Sequence, residues 1–238
     1  MVMYITLALV GFFAGALSGS IGFGGGMILL PVITWFYGVE VAVPVSTIAQ
    51  LMSNLSRSVM GWKEIRWRET FRFLIAALPF TALGAFGFAV ADKRLMTRAL
   101  CIFLIVFAVI KLTGKIRLPK GRATMLVGGG LTGLLNGMLG ISGPLSSAVF
   151  LTLDLAPVAY VASEATAAAA MHVVKAITYG KFALMDSRIF LNGLFIGCAM
   201  MAGNVLAMRL IRHIDKRPYR IMTGVMLIVT SVLLFITV

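Results

Sequence analysis

The chain has 238 residues, of which 60% are hydrophobic and 12% charged. A soluble domain carries about 25% charged residues, so the polar surface needed to coat a water-soluble core is missing. A formal net charge of +13 would suggest nucleic acid in a soluble protein, but here Lys and Arg fall in short loops between apolar segments. That is the positive-inside pattern of a membrane protein, and no nucleic-acid-reading module accompanies it.

From Met1 to Ser56 the one charged residue is Glu40, and the first Lys or Arg is Arg57. A secretory signal needs a basic leading region, so Met1 onward is expected to begin an uncleaved first span. A span takes about 20 apolar residues. Full-length segments fall near 4–22, 41–61, 71–91 and 95–112, then near 123–141, 158–178, 189–209 and 219–237. Two further apolar pieces, 27–37 and 145–155, are too short to cross unaided. They read as half-helices or re-entrant segments, tolerated at membrane depth only when shielded by protein or lining a cavity. The expected fold is an all-α polytopic membrane protein with about eight full transmembrane helices and two half-helices.

Each short piece follows a glycine-rich break. The first runs Gly19-Ser-Ile-Gly22-Phe-Gly24-Gly25-Gly26 and leads to Pro31. Gly costs roughly 1 kcal/mol relative to Ala inside a helix, so the cluster interrupts the helix. A degraded copy lies 118 positions on: Gly15, Gly19, Gly22 and Gly25 match Gly133, Gly137, Gly140 and Gly143, and Gly26 matches Pro144. At the same offset Asn54 matches His172 and Arg57 matches Lys175. Asp92-Lys93-Arg94 matches Asp215-Lys216-Arg217, and Leu104-Ile105-Val106 matches Leu227-Ile228-Val229, at an offset of 123. We therefore divide the chain into two pseudo-symmetric repeats, 1–115 and 116–238, joined by the basic stretch 111–122. Interrupted helices at matching places in two halves point to a transport site.

Loop charges bear on topology. If each short segment completes a crossing, the halves are inverted and the Lys and Arg split 14 against 6; if the short segments turn back, the halves are parallel and the split is 12 against 8. The bias favours inversion, with both termini periplasmic.

A half-helix that starts just after a break offers unpaired backbone N–H groups and the positive end of its dipole, a ready anion site. Gly15 and Gly19 read as helix-packing residues, since small residues at four-residue spacing build interfaces. The run Gly24, Gly25 and Gly26 exceeds what packing needs and reads as site, with Gly22. In the second copy the corresponding candidates are Gly140, Ser142 and Gly143. Ionisable residues within spans default to functional roles, at roughly 2.5–3.5 kcal/mol each on insertion scales. Arg57 lies near a segment end, where it could snorkel, and Lys175 occupies the matching position. Asn54 and Arg57 share a helix face, as do His172 and Lys175. Glu164, opposite Ser46, is expected to pair with Lys175 or His172, or to couple protons. His172 is the second proton-coupling candidate, because its ordinary pKa lies near neutrality. Asp154 and Glu40 read as interfacial, and His213 as solvated in a basic loop.

Other chemistry finds little footing. Cys101 and Cys198 lie in apolar segments, with neither metal nor disulfide spacing. No His, Cys, Asp and Glu cluster has ligand spacing, no βαβ unit surrounds Gly22-x-Gly24, and Ser46 and Ser142 lack a base. No cofactor, no metal and no enzymatic activity are expected.

The two glycine motifs, Gly15-x-x-x-Gly19-x-x-Gly22-x-Gly24-Gly25-Gly26 and Gly133-x-x-x-Gly137-x-x-Gly140-x-x-Gly143-Pro144, resemble those of the TauE/SafE family of sulfite-exporter-like membrane proteins. Size and duplicated layout fit across essentially the whole chain. The resemblance implies a multi-pass permease of a bacterial-type inner membrane for small sulfur-containing anions such as sulfite, sulfonates or sulfoacetate. It carries over the glycine motifs only; Asn54, Arg57, His172 and Lys175 come from the internal symmetry. The partners are then a small anionic substrate and the lipid bilayer, and self-association into a homo-oligomer is compatible with this. The alternatives are a permease for another small anion such as a carboxylate, or a membrane-embedded enzyme or assembly factor.

Overall fold

The structure is a computed structural model that describes residues 2–92, 118–140 and 143–212. The expected segments 95–112 and 219–237, Cys101, Ser142, His213 and residues 111–117 of the linker lie outside the described residues. Among the described residues the secondary structure is helical throughout. α1 is Val2–Ile21, α2 Gly25–Tyr37, α3 Val39–Met60 and α4 Trp67–Val90. After the linker come α5 (Arg122–Leu139), α6 (Gly143–Leu151), α7 (Pro157–Lys181) and α8 (Ser187–Ile211). Six of the expected full-length segments and both short ones are thus helices, with ends a few residues from where apolarity placed them.

The breaks fall at the glycines. Gly22 and Gly24 have φ of 87° and 98°, and Gly140, which ends α5, has φ of 72°. L-residues with a Cβ rarely enter that region, so the glycines both stop the preceding helix and permit the turn into the short one. Helices α2 and α6 then run largely buried, as polar backbone at membrane depth requires.

Three of the described helices, α1, α4 and α8, are apolar and long enough to cross a membrane. Helices α3 and α7 are as long but carry the polar residues, and they pack against each other at the centre of the molecule. Around them α1 packs along α8 and α4 along α5. Glycine makes these outer contacts close. A Cβ at Gly15 would strike the Met200 backbone, one at Gly203 the Phe12 carbonyl, one at Gly133 the Ala77 carbonyl and one at Gly137 the Thr81 carbonyl. Gly15 and Gly19 therefore have the packing role that their spacing suggested. The outward faces carry Leu9, Phe13, Phe71, Ile75, Leu83, Phe195 and Leu206, all exposed. An apolar surface of that extent has lipid as its natural solvent.

Candidate functional site

The two interruptions meet. A Cβ at Gly143 would lie 3.1 Å from Phe23 Cβ and 3.5 Å from the Gly24 backbone nitrogen, so the start of α6 abuts the end of the first break. Beside this junction is a cavity of about 30 Å³. Its wall includes Gly22, Gly24, Gly25, Gly26 and Gly143, with Asn54 and Arg57 from α3 and Glu164 and His172 from α7. Gly25 and Gly26 form the first turn of α2, whose N–H groups have no partner within the helix. Gly140 and Lys175 do not line the cavity but lie together behind the second break: a Cβ on Gly140 would be 3.8 Å from Lys175 Nζ.

Arg57 is 4% exposed and does not snorkel. Its Nη1 donates to the carbonyl oxygens of Ser18 (2.9 Å) and Gly22 (2.8 Å), and Nη2 donates to Asn54 Oδ1. Ser18 and Gly22 lie at the end of α1, where the dipole is negative; Ser18 O also accepts from Gly22 N–H at 2.8 Å, and Gly22 O lies beyond the last turn. The guanidinium, with its planar fork of donors, thus caps the broken helix. Arg57 Nη1 also lies 3.8 Å from Glu164 Oε2. Glu164 pairs with Arg57, where the sequence offered Lys175 or His172; the sequence distance from position 57 to 164 left no spacing to read. Its other oxygen, Oε1, accepts from Ser146 Oγ at 2.7 Å, in the shorter of two contacts open to that single hydroxyl proton, the other being Gly143 O at 3.1 Å. A continuous chain of polar contacts therefore runs from the end of α1 through Arg57, Glu164 and Ser146 to the start of α6.

The second cation is placed differently. Lys175 is completely buried, and its ammonium has no hydrogen-bond acceptor among the described residues. Its described neighbour of note is the Tyr179 ring, 5.8 Å away at the centroid, while the Tyr179 hydroxyl donates to Gly137 O at 2.9 Å. His172 Nδ1, Gln50 Nε2 and both amide atoms of Asn136 are likewise buried without partners.

Sequence reasoning passed over Ser18, Gln50, Ser53, Ser146 and Asn204. Gln50 and Ser53 line the cavity, and Asn204 Nδ2 on α8 donates to Ser53 O and Ser53 Oγ. Their signal was present as amides and hydroxyls within apolar helices, where an unsatisfied polar group is costly. Glu40 and Asp154 are exposed at helix ends, as their positions suggested.

No curated protein and no solved structure matches the chain. The family model described as Sulfite exporter TauE/SafE matches residues 7–234. With nearly the whole length covered, and with interrupted apolar helices meeting at a polar centre, this chain belongs to the TauE/SafE family of membrane transport proteins.

Proposed function

We propose that the protein is a secondary permease for a small sulfur-containing anion, such as sulfite, a sulfonate or sulfoacetate, held between two pseudo-symmetric repeats at 1–115 and 116–238. The observation that carries this reading is the meeting of the two glycine breaks beside buried Arg57, Lys175, His172 and Asn54. Donors and positive charge at a site without bulk water favour an anion. The family description favours a sulfur oxyanion over a carboxylate. The exchange of contacts supports two related halves: α1 of the first packs on α8 of the second, and α4 of the first on α5 of the second. At about 30 Å³ the cavity has room for little more than one or two waters, so it would have to widen to admit substrate. Glu164 is the buried carboxylate among the described residues and, with His172, the candidate for proton coupling. The family supports a bacterial-type inner membrane, and the loop charges favour an orientation with the most basic loops cytoplasmic.

Uptake of radiolabelled sulfite and of a sulfonate into proteoliposomes tests this. Sulfur anions are expected to be transported and to compete with one another, with acetate and succinate competing weakly. Transport inhibited equally by carboxylates would favour a general anion permease instead.

A further inference from the structure

We infer that the charge of the transported anion is balanced by Lys175 alone, at a subsite beside the end of α5, and that Arg57 is an architectural residue already neutralised by the protein. The inference rests on the permease reading above and divides the work between two cations that the internal repeat makes equivalent.

Arg57 and Lys175 stand 118 residues apart, and so do Gly22 and Gly140, and Ser18 and Asn136. On the first side the cation is bonded to both carbonyls of the broken helix end, Ser18 O and Gly22 O, and faces a carboxylate. On the second side the shorter, single-nitrogen cation makes neither bond, and among the described residues no carboxylate pairs with it. The Tyr179 ring offers a cation–π attraction but no acceptor for the three ammonium N–H groups. Among the described residues the buried charged side chains are Arg57, Lys175 and Glu164. Two cations face one carboxylate, and the carboxylate is taken by Arg57. Among the described residues the buried charges are one negative short, and the shortage is at Lys175.

A buried charge lacking its partner is strongly unfavourable, so a ligand that supplies one is bound tightly. The fitting class is a monoanionic oxyanion head group, a sulfonate or hydrogen sulfite, whose oxygens accept the ammonium N–H groups. His172, on the same face of α7 as Lys175, lines the cavity and its Nδ1 is unpartnered. It therefore joins the cavity to this subsite.

The test uses the full chain in detergent and in proteoliposomes, with methanesulfonate and sulfite as probes. Lys175→Gln is expected to weaken binding of both by about tenfold or more, the scale of a lost hydrogen bond to a charged group. Lys175→Arg is expected to keep binding, and the unliganded melting temperature of Lys175→Gln is expected to be no lower than that of the wild type, since an unpaired buried charge has been removed. Lys175→Gln binding both probes within about twofold of the wild type would overturn the assignment. A lower unliganded melting temperature in Lys175→Gln, with binding lost in Lys175→Arg as well, would make Lys175 structural and overturn it too. Wild-type protein that binds and moves neither probe would refute the permease reading itself, an outcome separate from either of these.

Discussion

Arg57 shows how much one side chain can organise when it is buried among acceptors. Its guanidinium closes the frayed end of α1, holds Asn54 and faces Glu164. Removing it takes the guanidinium from Gly22 O and from the buried Glu164 carboxylate, while Ser18 O keeps its bond from Gly22 N–H. Arg57→Gln is therefore expected to destabilise the protein by about 3–5 kcal/mol, the usual consequence of breaking a buried pair from one side. Arg57→Gln combined with Glu164→Gln should recover part of that loss, because the orphaned carboxylate goes as well. Thermal melts of the two single variants and the double variant, read as a cycle, would measure the coupling. These contacts were not legible in the sequence. The residue and its depth were, because charge is scarce within spans, but Ser18 and Gly22 from the end of α1 and Glu164 from α7 reach Arg57 from two other helices and leave no periodic trace.

At the scale of helices the chain was far more readable. Length and apolarity locate α1, α3, α4, α5, α7 and α8, and clustered glycine locates both interruptions, because these are local properties of backbone and solvent. The pairing of helices is a different matter: it depends on which glycines let two backbones touch. The contact of α5 with α4 through Gly129, Gly133 and Gly137 is the clearest case, each meeting a main-chain carbonyl of Phe73, Ala77 or Thr81. A backbone cannot rotate away as a side chain can. Gly133→Leu is accordingly expected to push the helices apart, with overpacking costing about 1–3 kcal/mol or more and a lower melting temperature. Gly130→Leu serves as the control on the same helix, since the nearest atoms there are the Phe80 ring and Ala76 Cβ at 3.5–3.7 Å. A lesser loss is expected at position 130, and an equal loss at both would argue against backbone contact as the cause.

For the whole molecule, the outer helices turn aromatic and aliphatic side chains outward while α3 and α7 keep the polar ones inside. Cys198 of α8 belongs to that outer surface and is exposed. In a bilayer its surroundings are hydrocarbon. In a Cys101→Ser background, Cys198 is expected to resist a membrane-impermeant maleimide in intact vesicles and to react after denaturation. Ready labelling in the native membrane would place α8 against water. Trp62 and Trp67 stack edge-to-face, 4.8 Å between centroids, amid the basic turn that holds Lys63 and Arg66, and so mark one water boundary of the bilayer.

The polar chain from the end of α1 through Arg57 and Glu164 to Ser146 in the first turn of α6 has a mechanical corollary. It is a tie-rod between the two kinks, so slack given to one is transmitted to the other. A permeation route opened by rocking the halves would then have to unfasten this rod. In the permease proposed above, the same fastening that keeps the broken helices in place would hold back leak of protons or water through the resting protein.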